Sequence, residues 1–346
     1  VYKMQKTFAL SLTVNPEKQA AIEIERLLKF PGFLKRDSFA KGRVEIVELR
    51  VDERSRLCNV ALSELNRVIK CRVLVCAVLR RGDVVAPDGS FVLREGDRIF
   101  VTASTESLAT LLDNLGIITK KVNHVMICGG GRVSYYLAQQ LEKDGMTVRL
   151  IEKDPKHCEE LAALLPKTEI INDDASNTFV LKRENLESCD ALVTATGMDE
   201  LNMIISLYGT KHGVSQVITK LGHMENGSMI DQLPIGSTIW PKDLCCNGIV
   251  RYIRAMHNQT GAAVSVHSIA DGKAEAIEFH VEEKKPYCDK PLKNMKVKQN
   301  ILVACITHGG VTELPGGDSV IREGDTVVVV TTRNDIIYKL DDIFEA

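Results

Sequence analysis

The sequence lacks several features that would assign a chain to a class at once. Its ten cysteines include no C-x-x-C pair, and the adjacent Cys245 and Cys246 suit neither a metal site nor a shared disulfide. Lys and Arg form no block, the formal net charge is -2, and aromatic residues make up only 5%. These absences argue against a cysteine metal centre and against nucleic acid as the main partner.

Long apolar runs are also missing. The longest, such as Val73 to Leu79, have the length of a strand and fall well short of the roughly 18 residues of a membrane span. No signal-peptide pattern opens the chain, and most cysteines lie inside apolar runs as reduced, buried thiols do. We therefore expect a cytosolic protein. The first residue is Val1 rather than Met, so we expect a piece of a longer chain.

The most informative stretch that is present runs from His124 to Glu152. An apolar run, Val125 to Cys128, leads into three glycines and a helical pattern, which is the layout of a dinucleotide-binding βαβ unit. Gly129 permits the tight strand-to-helix turn, and Gly131 lets backbone amides approach a pyrophosphate without an intervening Cβ. The helix that begins near Arg132 directs its unpaired N–H groups and positive dipole end toward those phosphates.

A carboxylate completes this pattern. Glu152 lies 23 positions after Gly129, where it can accept hydrogen bonds from the adenosine ribose hydroxyls. Its charge would repel a 2′-phosphate, so NAD+ and NADH, or an adenine nucleotide such as ATP or ADP, are favoured over NADP(H). Ser134 replaces the third glycine of the pattern and is small enough for close packing of the helix on the strand.

From Val122 onward strands and helices alternate regularly, which predicts a parallel sheet. The second helix begins at Asp154-Pro155, an N-cap acid followed by proline at the first helical position. Later strands are predicted at Ala191 to Ala195 and Val217 to Lys220. The predicted fold class is therefore α/β, with a Rossmann-like doubly wound parallel sheet.

Segments on the two sides of this region repeat each other at a spacing of 225 to 230 residues. The equivalent segments are the helices after Pro16 and Pro241, Phe39–Ile46 and Ile269–Ala276, Val73–Gly82 and Ile301–Gly310, and Val92–Val101 and Val320–Val329. We interpret this pattern as a duplicated module, in which a nucleotide domain is followed by a small domain of βαβ type. The Glu-Gly-Asp turns at Arg94–Asp97 and Arg322–Asp325 are predicted to be β-turns rather than sites, and Asn59–Asn66 a short helix.

The order of motifs resembles a known family. ICGGGRVS, LIEKD, DDAS, ATGMDELN and finally IREGD follow one another as in the Trk-type potassium-uptake regulatory proteins, the TrkA family, which carry tandem RCK/KTN domains. The resemblance covers essentially the whole chain. It implies a Rossmann-like TrkA-N domain with two small α/β TrkA-C (RCK-C) domains. The implied boundaries are 1–33 for the tail and crossover helix of a first nucleotide-binding domain, 34–118 for a first TrkA-C domain, 121–258 for a second TrkA-N domain and 261–346 for a second TrkA-C domain.

The resemblance also implies a function. Such proteins form a cytosolic gating ring, built from dimers, on the inner face of the membrane at a membrane-embedded potassium transporter subunit. Nucleotide binding biases the conformation of the ring. For this chain we therefore expect a homo-oligomeric regulatory subunit with no catalytic residues, no metal and no nucleic acid.

The family's binding residues carry over by motif to five groups in this sequence. These are Gly129, Gly131, Arg132 and Val133 in the phosphate loop, Glu152 as the ribose acid, Asp174 and Ala175 near the adenine, Ala195, Thr196 and Glu200 toward the far ribose and nicotinamide, and Lys220 at the phosphate mouth. Asp173 stands where that family usually has glycine.

Simpler interpretations of these residues stay open. Asp173 and Asp174 can serve as acids at a helix N-terminus, and Thr196 and Glu200 as capping residues. Lys220 can be a solvated charge at the end of a strand.

Two alternative functions also stay open. An NAD-dependent oxidoreductase would need a proton-transfer residue beside the nicotinamide, and His223, two residues beyond the fifth strand, is the nearest histidine. The second alternative is a structural assembly subunit with an empty pocket.

Overall fold

A computed structural model describes residues 13–29, 32–40, 43–53, 55–116, 121–222, 230, 233–256, 263–332 and 336–345. The chain divides into two compact units. The first comprises Val1–Pro31 and Lys120–Ile249, and the second comprises Gly32–Thr119 and Val250–Ala346. In the ranges above, no helix is long and apolar enough to cross a bilayer.

The first unit is built on the predicted alternation of strands and helices. Its elements are α1 (Pro16–Lys29), β6 (His124–Cys128), α4 (Arg132–Lys143), β7 (Thr147–Glu152), α5 (Pro155–Leu164), β8 (Glu169–Asn172), α6 (Thr178–Arg183), β9 (Ala191–Thr194), α7 (Asp199–Lys211), β10 (Gln216–Lys220), β11 (Ser237–Ile239) and α8 (Pro241–Met256), whose last residues fall in the second unit. The six strands pair in parallel in the order β11-β10-β9-β6-β7-β8. The prediction of a Rossmann-like doubly wound sheet is confirmed.

Local sequence explains where these helices begin. Asp154 caps α5 by accepting from the backbone N–H of Lys156 at 2.9 Å and of His157 at 3.3 Å, and Pro155 occupies the first turn as predicted. Asn177 caps α6 in the same way through Phe179. The chain therefore enters these helices at fixed positions after the carboxyl ends of their strands.

Helix α1 packs on this sheet domain although about ninety residues separate the two in the sequence. Its apolar stripe, which includes Ile24, Leu27 and Leu28, is buried in the same cluster as Leu137 and Leu141 of α4. Its last turn is bonded as well, because Gln216 Nε2 donates to the Leu27 carbonyl at 2.8 Å. Helix α1 is thus an integral layer of the domain built on the large parallel sheet.

The second unit contains two small domains. The first small domain comprises β1 (Lys35–Phe39), β2 (Val44–Arg50), α2 (Leu65–Ile69), β3 (Leu74–Arg80), β4 (Asp83–Val85), β5 (Arg98–Ala103) and α3 (Thr105–Asn114). The second small domain comprises β12 (Ala263–Ile269), β13 (Ala274–His280), β14 (Ile301–His308), β15 (Val311–Glu313) and β16 (Thr326–Thr331). Short 3₁₀ turns lie at Leu62–Glu64 in the first, at Ala270–Gly272, Leu292–Asn294 and Leu340–Ile343 in the second, and at Leu186–Ser188 in the sheet domain.

The two small sheets have the same strand order, as the internal repeat predicts. One runs β1-β2-β5-β3-β4 and the other β12-β13-β16-β14-β15. The expectation of βαβ-type units is wrong, because every described pairing in both sheets is antiparallel. Short connections join β1 to β2, β3 to β4, β12 to β13 and β14 to β15, and such links join antiparallel strands.

The helix predicted at Asn59–Asn66 begins later than expected. Asn59 has a φ of 63°, and Ala61 forms a β-bridge with Val92, so the chain is still extended there. Helical structure starts only at the 3₁₀ turn Leu62–Glu64 and continues as α2. The cross-strand bridge outweighs the local helical pattern.

All ten cysteines are free. Cys128 lies in the core of the parallel sheet, where burial raises its pKa to about 12. Within the described ranges, no cluster of His, Cys, Asp and Glu could hold a metal ion. The buried thiols therefore act as small apolar side chains.

Candidate functional site

The carboxyl ends of four parallel strands define one edge of the large sheet. β6 ends at Cys128, β7 at Glu152, β9 at Thr194 and β10 at Lys220. Chain order reverses between β6 and its neighbour β9, which makes a topological switch point. In open α/β sheets, ligands bind in the crevice at such a point.

The first two glycines after β6 are required by close contacts within the protein. Gly129 has a φ of 97°, and an added Cβ would lie 2.8 Å from Thr196 Cα. A Cβ on Gly130 would lie 2.7 Å from Leu161 Cδ1 and 3.0 Å from Glu152 Oε2. Gly130 was not among the predicted site residues, although the run of three glycines was a visible signal for it.

Gly131 differs from these two because space lies beside it. The nearest atom to an added Cβ is the Ala195 carbonyl oxygen at 4.0 Å. Gly131 is the N-cap of α4, and a glycine offers no side chain to the N–H groups of the first helical turn. This combination of an open approach and unpaired donors fits the predicted phosphate position.

The next residues of the loop play different parts. Arg132 is 81% exposed, and its Nη1 lies 3.8 Å from Glu17 Oε1 of α1. Val133 is buried in the core, so it can offer a ligand only its backbone N–H. Ser134 is fully buried, which agrees with its predicted role in close packing of helix on strand.

Glu152 lies against the glycine loop as its position predicts. Its Oε2 accepts from Gly130 N at 2.7 Å, and its Oε1 accepts from Asp154 N at 2.9 Å. The carboxylate is thereby fixed at the end of β7, next to the turn that leads toward α4. A carboxylate can also accept hydrogen bonds from hydroxyl groups.

His157 also contacts the loop and was missed by the sequence prediction. Its Nε2 lies 2.9 Å from the Gly130 carbonyl and its Nδ1 lies 3.2 Å from Glu160 Oε2. The Gly130 carbonyl and then the Glu160 carboxylate raise the pKa of His157, because both favour the doubly protonated ring. The available signal was the helix start at Asp154-Pro155, which places residue 157 in the first turn.

The acids after β8 are used within their own turn. Asp173 Oδ1 accepts from Asp174 N at 2.8 Å and its Oδ2 from Arg183 at 2.9 Å, contacts that lower the pKa of Asp173. Asp174 accepts from Ser176 N at 2.8 Å, which lowers its pKa. The φ of Asp173 is not positive, so a side chain fits where the family usually has glycine. Ala175 is buried beside them.

Asn202 organises the loop after β9. Its Oδ1 accepts from Thr196 N at 2.9 Å and from Thr196 Oγ1 at 2.7 Å, and its Nδ2 donates to the Lys220 carbonyl at 3.0 Å. Ala195 is buried in this loop, whereas Glu200 is exposed in the first turn of α7. Asn202 is fully buried and was also missed as a site residue, although it is the last residue of the ATGMDELN motif.

Lys220 is directed across the mouth of the crevice rather than into solvent. Its Nζ donates to the Thr196 carbonyl at 2.8 Å. Burial lowers the pKa of Lys220, and the nearby Asp199 carboxylate opposes that effect. Asp199 in turn accepts from Gly222 N at 2.8 Å, which ties β10 to the start of α7.

Most of the predicted residues therefore meet at one crevice. The phosphate loop contacts Thr196 through Gly129 and Glu152 through Gly130, and Lys220 reaches Thr196 from the next strand. Asp174 and Ala175 follow β8, two strands from β6. N–H donors and an ammonium group can bind an anionic phosphate, and a carboxylate can bind hydroxyls. His223 lies outside the described residues.

Comparison with known proteins matches three stretches of the chain to domain families. The TrkA-N domain family matches residues 125–241, and the TrkA-C domain family matches residues 46–116 and 276–344. The chain is 27% identical over 321 residues to "Trk system potassium uptake protein TrkA homolog 1" of Methanosarcina mazei, which covers 92% of this chain and 70% of that protein. It is 27% identical over 338 residues to "Trk system potassium uptake protein TrkA" of Haemophilus influenzae, with 96% and 72% covered.

Among solved structures, the fold resembles that of the GsuK RCK domain. The TM-score is 0.54 at 14% identity, with 94% of this chain and 69% of that chain covered. The GsuK channel gives a TM-score of 0.50 at 13% identity, with 90% and 55% covered. This likeness shows the fold. The matched domain families and the relatives show that the chain belongs to the TrkA family and carries a TrkA-N domain between two TrkA-C domains.

Proposed function

We propose that this protein is a regulatory, gating subunit of a Trk-type potassium uptake system that binds NAD+ or NADH, or ATP or ADP, without turning it over. The observation that carries this proposal is the open approach to Gly131 and the N-terminus of α4, with Glu152 and Lys220 on either side. The relatives' names, Trk system potassium uptake proteins, supply the transport role.

Each proposed ligand contact follows from the chemistry of its residue. The N–H groups of Gly131, Arg132 and Val133 would meet the phosphates, with the Lys220 ammonium at the far side of the crevice. Glu152 would accept from the adenosine ribose hydroxyls and disfavour a 2′-phosphate. Asp174 and Ala175 would border the adenine, and Ala195, Thr196 and Glu200 the distal ribose or nicotinamide.

Signalling would be a population shift between two conformations of the assembly. A ligand moves such an equilibrium only by the difference between its affinities for the two states. The loop that holds Thr196 is coupled through Asn202 to the ends of β9 and β10, so ligands that differ at their distal end would contact it differently. A coupling of about 1–3 kcal/mol would change activity roughly 5- to 150-fold.

The assembly proposed is a homo-oligomeric ring of dimers, located in the cytoplasm on the inner face of the membrane beside a membrane-embedded transporter subunit. Residues 1–33, 34–118, 121–258 and 261–346 would form the four segments of the tandem arrangement. The packing of α1 on α4 supports its assignment as a crossover helix, since α1 repeats α8, which follows the TrkA-N domain.

Calorimetric titration of NADH, NAD+, ATP and ADP against the protein and its Gly131→Asp variant tests the binding step. The new carboxylate enters the open space beside Gly131 and repels phosphate, so we expect at least about tenfold weaker binding, equal to 1.4 kcal/mol. Gly316→Asp is the matched control, because an added Cβ there meets nothing within 4 Å and it lies far from the loop in sequence.

Four results would contradict the proposal. The nucleotide-sensor role fails if none of the four nucleotides binds, or if Gly131→Asp binds as well as Gly316→Asp. Consumption of NADH, followed by its absorbance in the presence of small carbonyl compounds, would favour an oxidoreductase. Nucleotide binding that leaves potassium transport by the complete uptake system unchanged would favour an assembly subunit.

A further inference from the structure

The two small domains pack face to face about an approximate two-fold axis. Asp37 and His267 occupy equivalent positions in the repeat, and their side chains contact each other, with His267 Nδ1 2.9 Å from Asp37 Oδ1. Equivalent residues of two like domains touch each other only near a two-fold axis. The axis therefore passes between Asp37 and His267.

Contacts farther from the axis occur in equivalent pairs, as two-fold packing requires. Lys273 of the second small domain donates through Nζ to the carbonyl of Gly82 in the first. The equivalent residue, Arg43, lies beside Gly310, the equivalent of Gly82, because a Cβ added there would be 3.3 Å from its guanidinium nitrogens. The backbone frame of the pair is thus close to symmetric.

The apolar side chains at this junction are not symmetric. A single buried cluster joins the two sheets and draws on the same positions from each. The first pairing face carries Phe39, Val44, Ile46 and Phe100, and the second pairing face carries Ile269, Ala274, Ala276 and Val328 at the equivalent positions. Cys76 is likewise larger than its equivalent Ala304. The order is reversed at Ala77 and Thr102, which are smaller than their equivalents Cys305 and Val330. Large side chains on one face therefore fill the space that small ones leave on the other.

The polar groups at the junction also differ. Glu48 is buried and bonded within its own domain by Arg98. Thr326 replaces that arginine in the second small domain, and the equivalent Glu278 instead accepts from Ala40 N across the junction at 3.2 Å. Lys35 has Ser265 as its equivalent, and its Nζ crosses to the Ser268 carbonyl at 2.7 Å. Equivalent residues therefore make different polar contacts on the two sides of the junction.

We infer that the first pairing face is fitted to the second pairing face and rejects a copy of itself. Two first faces would bring together two sets of large side chains in a junction that is already close-packed, and two second faces would leave voids. Opposing carboxylates at residue 37 would replace the hydrogen bond between the Asp37 carboxylate and the His267 imidazole, and Lys35 Nζ lies 3.7 Å from Asp37 Oδ2. Contacts between copies of this protein therefore avoid pairing of like small domains.

Exchange of side-chain volume across the junction tests this inference in the full-length chain. Ile46 and Ala276 are the strand partners of Asp37 and His267, so both lie next to the axis. Ala276→Ile gives the second face the residue of the first, and we expect the midpoint of thermal unfolding to fall by about 5 °C. Ile46→Ala should cause a similar fall, and the double variant should recover more than half of the larger loss.

The matched control is Val264→Ile, which adds bulk on a strand of the same sheet at a residue that is 52% exposed. It should leave the midpoint unchanged. Hydrogen exchange should confine the loss in Ala276→Ile to amides of β2 and β13 and their neighbours, while amides of the parallel sheet keep their protection. If the two single losses add in the double variant, the two faces do not share one volume and the inference is wrong.

Exchange of the axial pair gives a second, milder test in case Ala276→Ile fails to fold. His267→Asp faces Asp37 with a second carboxylate and should lower the unfolding midpoint at neutral pH. The exchanged variant, Asp37→His with His267→Asp, restores one imidazole and one carboxylate and should recover most of that loss. A merely structural role for either residue would make the exchanged variant the least stable of the three, and that result would overturn the inference.

Discussion

The two small domains hold the same buried carboxylate in two different ways. In the first, Arg80 binds Asp97 with two bonds, Nε to Oδ1 at 2.8 Å and Nη2 to Oδ2 at 2.7 Å, and Asp97 is only 1% exposed. In the second, the equivalent of Arg80 is His308, whose Nδ1 lies 2.8 Å from Asp325 Oδ1. Asp325 is 3% exposed. One fold thus tolerates either a permanent cation or an imidazole beside the same acid.

The Glu-Gly-Asp turn explains why both small domains have an aspartate at this position. Asp97 Oδ2 accepts from Arg94 N at 2.7 Å, and Asp325 Oδ2 accepts from Arg322 N at 2.5 Å. The aspartate therefore closes its own Glu-Gly-Asp turn, as expected for a β-turn residue. The turn therefore needs the aspartate carboxylate, whereas the strand residue beside it, Arg80 or His308, only has to supply a hydrogen-bond donor.

The largest effect is expected from Arg80→Met. The variant keeps the length of the side chain but leaves the Asp97 carboxylate buried without its cation, at a cost of about 3–5 kcal/mol. The free energy of unfolding in urea measures this loss. Arg81→Met, one residue along the chain and exposed, is the control. A loss below about 1 kcal/mol would mean that the ion pair stabilises the protein no more than an exposed surface ion pair does.

His308→Leu should have a smaller effect in the second small domain. It removes one donor to a buried carboxylate that still accepts from Arg322 N, so we expect a loss of about 1.5–3 kcal/mol. The same urea titration applies. A loss equal to that of Arg80→Met would abolish the distinction between the two domains.

Arg80→His gives the first small domain the residue type that the second small domain has at the equivalent position. Histidine can still donate to Asp97, but the second bond to the carboxylate, the bond to the Val92 carbonyl and the contact over the Phe91 ring are lost. We expect a loss of about 1–2 kcal/mol in the unfolding titration, less than that of Arg80→Met. If the two variants are equally unstable, the imidazole cannot take the place of the guanidinium in this sheet.

The smallest effect is expected at His157, which serves as an exposed reference for His308. Its raised pKa means that its contribution to stability is present below the ordinary histidine value near 6.5 and is lost as pH rises through the raised value. The ring is 40% exposed, so the screened contribution stays below about 0.5 kcal/mol. His157→Gln should remove this difference between pH 6 and pH 8. A larger difference in the variant than in the parent would contradict the assignment.

Much of the fold follows from local pattern. The strand–helix alternation, the cap at Asp154 and the glycine loop are all set by residues near each other in the chain, and the structure has them where the sequence predicts. The duplication was visible because equivalent residues keep their spacing. Fold class and the position of Glu152 against the loop could therefore be predicted.

The rest depends on contacts between distant residues. In the first small domain β5 pairs with β2 and β3, which are distant in the sequence, and short apolar runs do not encode which strands become neighbours. Gly130 is needed because Leu161 and Glu152 approach it from α5 and β7, and Asn202 acts by reaching two separate loops. The contact of His157 with the loop likewise depends on how α5 turns after its cap. Local sequence can mark Gly130, His157 and Asn202 as candidates, but the contacts that give them their roles join residues that are distant in the sequence.

The unequal faces of the two small domains have a consequence for the history of the chain. When a small domain pairs with an identical copy, each residue near the two-fold axis faces the same residue of the other copy. A gene that encodes one small domain is then sufficient. After divergence at residues 37 and 267, and at 46 and 276, a change on one face needs an answering change on the other. If either small domain were deleted, the pairing face of the remaining small domain would not fit a second copy of itself. No single substitution would then restore a small domain that pairs with its own copy. The residues at these positions should therefore vary together among relatives.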